Sequence, residues 1–187
     1  MTLGSHQKTI GTSQTHITPK WIIEALGPFD LDPCAADPRP WGCAMDNLTE
    51  ADDGLNQEWS PKEFVWLNPP FHRYGVGAWI NKLAHHSNGI ALLHARTETK
   101  WFQPCWSRAS GILFLRHRVI FHKPDGSQQT TQKGEVANSG APVCLVGFGA
   151  LARTRLENSG LEGSLVTRWK NIGSPASRRV DNPKRSD

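Results

Sequence analysis

Two short runs in this 187-residue sequence carry residue types that could do chemistry at the end of a strand. Asn68-Pro69-Pro70-Phe71 leaves Glu63-Phe64-Val65-Trp66-Leu67, the most apolar strand-like run in the chain. Asn68 offers a side-chain amide oxygen and Pro69 a carbonyl. Neither proline has an N–H to compete for those acceptors, and their fixed φ stiffens the turn. Phe71 adds a flat apolar surface. With ordinary residue frequencies, Asn-Pro-Pro followed by Phe or Tyr arises by chance in roughly one in a thousand chains of this size. The second run is Phe29-Asp30-Leu31-Asp32-Pro33, which brings carboxylates to another strand end. In open α/β sheets ligands bind at the carboxyl ends of strands, and carboxylates there suit a cationic ligand.

Positioning two such turns requires strands that alternate with helices, and the chain reads that way. Thr18-Pro19 has the pattern of an N-cap followed by Pro at the first helical position, with Trp21, Ile22, Ala25 and Leu26 as the apolar face and Gly27-Pro28 as the stop. Strands are predicted at 29–32, 63–67, 90–93, 112–115, 117–121, 143–148 and 163–166, with helices at 76–86, 101–109 and 150–158. Residues 37–61 read as loop with one short strand or turn, and the polar stretch 123–140 as a mobile surface loop. This alternation predicts an α/β protein with a three-layer, mostly parallel sheet. Residues 1–15 read as a flexible leader, 16–166 as one domain, and 167–187 as a basic, disordered tail.

Charge divides along the chain. Residues 1–70 hold four basic and ten acidic side chains, residues 71–166 eleven basic and five acidic, and residues 167–187 six basic and two acidic. The overall formal charge of +4 therefore equals that of the tail, while the body is polarised. An acidic half suits a cationic ligand and a basic half an anionic one. The four cysteines have no metal-ligand spacing, so no metal site and no disulfide framework is expected. Of the eight tryptophans, those at 21, 59, 66, 79 and 101 are expected in the core. No stretch has the length of a membrane span and Met1–Gln14 is polar, so the expected location is the cytoplasm.

Asn68-Pro69-Pro70-Phe71 resembles the (Asp/Asn/Ser)-Pro-Pro-(Tyr/Phe/Trp) motif of S-adenosyl-L-methionine-dependent amino-methyltransferases. The wider chain resembles the phage-type DNA N6-adenine methyltransferases (phage Dam) over residues 16–166. The resemblance runs through Thr18-Pro19 with Trp21, Phe29 to Ala35, Asp53-Gly54-Leu55 with Trp59, Val65 to Phe71, Arg96-Thr97 with Trp101-Phe102, and Arg118 with Phe121. It implies a Rossmann-like methyltransferase sheet, S-adenosyl-L-methionine as methyl donor, DNA as partner and a bacterial host cytoplasm. Asn68 and Pro69 would accept the two N–H bonds of adenine N6, Pro70 would fix the turn, and Phe71 would stack on a base swung out of the duplex. Thr18, Pro19, Asp32 and Asp53 would hold the cofactor, with Asp52 competing for the role of Asp53. Arg96 and Arg118 match family positions on the DNA side, among the basic residues Arg73, Lys100, Arg108, Arg116 and Lys123. Pro33-Cys34-Ala35-Ala36 departs from the Gly-rich turn most such enzymes carry. His72 is the histidine placed to enter the pocket.

Two other readings share these residues: the same fold methylating another amide or amine such as protein glutamine, and an inactive DNA-binding relative. Monomer and homodimer both remain open. If the basic tail is an electrostatic tether, deleting residues 170–187 will lower DNA affinity and flatten its dependence on salt, with turnover on saturating DNA unchanged. Binding isotherms across a salt series, beside turnover at saturation, check this.

Overall fold

The computed structural model describes residues 16–70 and 75–171. The leader at 1–15, Phe71, His72, Arg73 and the tail beyond Asn171 lie outside the described residues. Seven strands form one sheet: β1 Leu31–Asp32, β2 Asp46–Asn47, β3 Val65–Leu67, β4 Gly89–His94, β5 Gly111–Leu115, β6 Val143–Phe148 and β7 Gly163–Val166. The helices are α1 Lys20–Leu26, α2 Val76–His86, α3 Gln103–Arg108 and α4 Ala150–Asn158, with short 3-10 turns at Glu50–Asp52 and Lys100–Phe102.

The strand order is β2-β1-β3-β4-β6-β5-β7. Strands β2, β1, β3 and β4 pair in parallel, whereas β6 is antiparallel to both β4 and β5, and β7 is antiparallel to β5. The first five strands in sequence therefore run one way and the last two the other. The expectation of a mostly parallel sheet holds for strand direction, while the β6 side is built from antiparallel pairs.

Alternating side chains divide the core between the two faces of the sheet, as strand geometry requires. Val65, Leu67, Ala91, Leu93, Cys144, Val146 and Phe148 cluster with Trp79, Ile80 and Leu83 of α2 and Cys105 of α3. Trp66, Ile90, Leu92, Val143 and Leu145 cluster with Ile22 and Leu26 of α1 and Ala152 and Leu156 of α4. Both faces of the central strands are thus covered, which explains their nearly unbroken apolar runs.

Several local expectations are corrected. Thr18 is not the helix cap. Helix α1 starts at Lys20 with Pro19 before it and no side-chain cap. Trp21, expected in the core, is 52% exposed, because α1 turns Ile22 and Leu26 to the sheet instead. Residues 117–121 form no sheet strand: both edges of β5 are already occupied by β6 and β7. Val119 and Phe121 are buried all the same, and the chain pairs at His122 with Ile17. The stretch 123–140 lies at the surface as expected and is in addition hydrogen-bonded as a ribbon, with Gln129 N–H to Phe121 O, Ala137 N–H to Gln129 O and Ser139 N–H to Val119 O. Past Val166, Trp169 donates its indole N–H to Trp106 O at 2.6 Å.

One contact sets where the acidic loop before β3 lies. A Cβ built on Gly54 would stand 2.0 Å from the carbonyl oxygen of Pro33. Only a glycine lets this loop touch the turn after β1. Gly54→Ala will lower the denaturant midpoint by the equivalent of ~2–4 kcal/mol, since both partners in the clash are main chain; an unfolding titration against the parent chain measures it.

Candidate active site

From β1 the chain runs to β2 on one side and to β3 on the other, so the strand order reverses between β1 and β3. That is where an open α/β sheet leaves a crevice at its carboxyl ends. Asp32 ends β1, and Asn68 follows directly on β3. The two strands are fastened on the near side of this crevice by Asp30, whose Oδ2 accepts the Phe64 N–H at 2.7 Å. Asp30 is therefore occupied by the sheet, and Asp32 is the carboxylate left at the strand end.

Asn68 is held by contacts from distant parts of the chain. Its Nδ2 donates to His16 O at 2.8 Å and to Thr18 Oγ1 at 3.3 Å. Its main-chain carbonyl accepts from the Cys34 thiol at 3.3 Å. With the amide nitrogen turned to His16 and Thr18, Oδ1 points away from that wall. Pro69 is buried and Pro70 half-buried, so the turn is rigid in its surroundings as well as in its backbone. Thr18 is itself buried, and its carbonyl accepts the Trp41 indole N–H at 3.1 Å.

Asp32 is 4% exposed. Its Oδ1 accepts the Cys34 N–H at 3.1 Å. Burial pushes its carboxyl up to about 6, with the Cys34 N–H, the thiols of Cys43 and Cys34 and the charge of Arg39 acting the other way. Burial likewise raises Cys34 well above the ordinary thiol range, with the Asp32 charge adding to it. The Pro33–Ala36 turn lacks glycine, and the close approach comes from Gly54 on the opposing loop.

On that loop the two adjacent aspartates part ways. Asp52 Oδ2 accepts both the N–H and the hydroxyl of Thr49, at 2.7 and 2.8 Å, capping its own 3-10 turn. Asp53 adopts a left-handed conformation, with φ of 49°. Its Oδ2 accepts from Asn56 Nδ2 at 2.8 Å, while its Oδ1 is buried with no hydrogen-bond partner. Such a buried acceptor carries a desolvation cost that a ligand donor would offset.

The basic side assembles at the same sheet edge. Exposed Arg96 follows β4 and exposed Arg118 follows β5. The charges of Arg96, His16 and Arg118 all act on His94, which ends β4. Burial is the first cause of its lowered pKa and these three follow. Lys123 lies in the ribbon that follows, bonded to Thr130 Oγ1 at 3.2 Å. Arg116 pairs with Glu162 at 3.7 Å. Arg108 does not join them: it ends α3 at the opposite edge, ahead of the amino end of β5. The structure thus gathers Thr18, Asp32, Asn68 and Pro69 at one crevice, brings the Asp53 loop against the β1 turn through Gly54, and places Arg96 and Arg118 beyond the carboxyl ends of β4 and β5, on the same edge of the sheet. A separate concavity lies between α4 and β7, lined by Leu113, Leu156, Leu161 and Leu165. It takes in the Arg116–Glu162 pair but none of the crevice residues.

The sequence profile of the family described as DNA N-6-adenine-methyltransferase (Dam) matches residues 8–146. The chain belongs to this family. The match runs from before the Thr18 segment into β6 and takes in every residue of the crevice. This Dam-family chain is 24% identical over 127 residues to the DNA N-6-adenine-methyltransferase of Haemophilus phage HP1, covering 63% of this chain and 72% of that one. It is 28% identical over 104 residues to the protein of the same name from Escherichia phage T1, covering 52% of this chain and 43% of that one. No solved structure gives a significant match. Among the described residues no helix is long and apolar enough to cross a membrane, and no group of three or more His, Cys, Asp or Glu side chains is placed to hold a metal.

Sequence reasoning missed three contributors in the Dam-family crevice. Cys34 stood there only as part of a small-residue turn, and His16 and Lys82 were not singled out. Each acts through partners far away in sequence, so no local pattern marks it. For Asp32 the linkage has a definite sign. A carboxyl raised in the folded state favours folding below its unfolded pKa of 3.8, and that stability is lost as pH rises through about 6. Asp32→Asn, which keeps the acceptor but cannot ionise, will remove this loss. At pH 7.5 the ligand-free variant will be more stable than the parent by on the order of 2–3 kcal/mol, and at pH 3.5 the two will be nearly equal. Thermal unfolding across that range provides the measurement.

Proposed function

We propose that the chain transfers a methyl group from S-adenosyl-L-methionine to N6 of adenine in DNA, with the target base swung into the pocket at Asn68-Pro69-Pro70-Phe71. The observation that carries this reading is the Asn68 amide, fixed at the carboxyl end of β3 beside buried Asp32 in a chain of the Dam family. Phage relatives named for the same activity support DNA within a bacterial cytoplasm as the substrate. The helices covering both faces and the shared direction of the first five strands support a Rossmann-like, three-layer methyltransferase sheet.

Adenine N6 is a weak nucleophile because its lone pair is delocalised into the ring. Asn68 Oδ1 and the Pro69 carbonyl accept its two N–H bonds, draw the nitrogen toward tetrahedral geometry and stabilise the positive charge that develops there. His16 O and Thr18 Oγ1 keep the amide turned so that the oxygen faces the base. Pro70 holds the turn, and Phe71 stacks on the extruded base, an interaction of about 1–3 kcal/mol. Arg96 and Arg118 meet the phosphates.

The donor set fits the cofactor. Asp53 Oδ1 is a buried acceptor awaiting a hydrogen-bond donor such as an adenine amino group or a ribose hydroxyl. Asp32 supplies a carboxylate for the cationic methionine portion, and its raised pKa falls when a positive charge lies beside it. Thr18 accepts from Asn68 and keeps its own hydroxyl proton to donate, next to the Pro19 ring. When bound, the cofactor supplies an electrophilic methyl group on a sulfonium.

Incubating the protein with labelled cofactor and adenine-containing DNA, then digesting to nucleosides, will place the label on N6-methyldeoxyadenosine. Label in protein would favour the amide-methylating reading, and DNA binding without label the inactive one. In single-turnover assays Asn68→Ala will lower the rate about 10²–10³-fold while cofactor affinity stays within about twofold. An unchanged rate removes Asn68 from its assigned role.

A further inference from the structure

Lys82 lies in α2, the helix that follows the Asn68 turn. Its ammonium is not a solvated surface charge. Nζ donates to Leu55 O at 2.7 Å, to Gly54 O at 3.4 Å and to Gln57 O, three main-chain carbonyls of the loop that carries Asp53. An ammonium has three protons, and this loop takes all of them. The same group sits 4.5 Å from the centroid of the Trp59 ring. Trp59 is 6% exposed and donates its indole N–H to Gly54 O at 2.9 Å, so Gly54 O accepts from both side chains. Gly54 in turn rests on Pro33, at the end of β1. The loop is therefore held between the β1 turn on one side and α2 on the other, and Asp53 has its left-handed backbone and buried Oδ1 within that grip.

We infer that Lys82 is a positioning residue for the cofactor: it holds the 53–57 loop on α2 so that the Asp53 carboxylate is presented to the crevice in its binding geometry. The inference rests on the reading of Asp53 as a cofactor residue. The arrangement is more than a loop fastener in one respect. The loop has no regular secondary structure between Asp53 and Val65, and Lys82 with Trp59 supplies donors to carbonyls that a helix or strand would otherwise satisfy. Burial lowers the Lys82 pKa, and the nearby Asp53 charge acts the other way, so the two side chains lie close enough to interact. Lys82 touches no reacting atom, so its loss acts on cofactor binding and leaves the chemical step largely intact.

The test is calorimetric titration of the full chain with S-adenosylhomocysteine, comparing the parent, Lys82→Met, Lys82→Arg and Asp53→Asn. Methionine keeps an apolar stem of similar length over Trp59 and removes the ammonium. Lys82→Met will bind about tenfold more weakly, the size of one charged hydrogen bond. KM for S-adenosyl-L-methionine will rise in proportion, and kcat on saturating DNA and cofactor will move less than twofold. Lys82→Arg, which restores charge in a planar fork that matches three converging carbonyls poorly, will recover part of the affinity. Parent-like affinity in Lys82→Met with weakened binding in Asp53→Asn overturns the role of Lys82. Parent-like affinity in both overturns the reading of Asp53 and this inference with it. A fall in kcat with unchanged affinity also overturns it. Should Lys82→Met fail to fold, Trp59→Phe removes the second donor to Gly54 alone and will weaken binding about threefold; parent-like affinity there counts against the inference.

Discussion

Everything at the crevice depends on two parallel strands standing side by side while the chain leaves them in opposite directions. β1 and β3 are short, and their pairing is fastened by side chains as much as by the ladder. The Asp30 carboxylate takes the Phe64 N–H on one side, and the Cys34 thiol reaches the Asn68 carbonyl on the other. Between these two fastenings emerge the carboxylate of Asp32 and, two residues further along in register, the amide of Asn68. Loosening either fastening would separate the residues assigned to the two substrates, although neither Asp30 nor Cys34 need touch a ligand.

The division of charge in the sequence becomes spatial through that reversal of strand order. The acidic first third builds α1, β1, β2 and the Asp53 loop, on one side of β3. The basic remainder builds β4 to β7 on the other side, with Arg96 and Arg118 at the carboxyl edge. A sheet that adds strands outward on both sides of a central pair converts an order in sequence into an order in space. Asn68 stands at the boundary in both. Arg108 and Arg116 show how far this argument reaches: one lies at the wrong edge and the other is paired with Glu162, so total charge overstates the surface available to an anion.

Elements with strong periodicity and clear ends were legible in the sequence. α2 begins at Val76 and ends at His86 as its apolar spacing predicts, and β6, α4 and β7 have the expected limits. Their signals are local: an apolar stripe at helical spacing, a buried run, a glycine before the turn. What escaped depended on partners elsewhere. Thr18 has the ideal type for a cap, but its hydroxyl is engaged by Asn68, fifty residues away. Residues 117–121 have strand composition and no free edge to join. β2 is two residues long, and its Asn47 side chain folds back on Cys43 and Ala44, so it reads as a turn. The same reason applies at the site. Asn68 and Asp32 announce themselves by type and position, whereas the choice between Asp52 and Asp53 rests on which carboxylate the Thr49 cap already occupies.

Cys34 has a further consequence for a pocket proposed to hold an electrophilic methyl group. A sulfur atom is intrinsically a better nucleophile than an adenine amino nitrogen, and a thiolate beside an alkylating agent would itself be alkylated. Cys34 is half-buried, and the desolvation of its thiol together with the Asp32 charge holds its proton in place. Only the thiolate reacts readily. The atom that props the Asn68 turn is thus kept chemically silent by the neighbours that make the pocket acidic, and a methyl donor bound as proposed would not be spent on the protein itself.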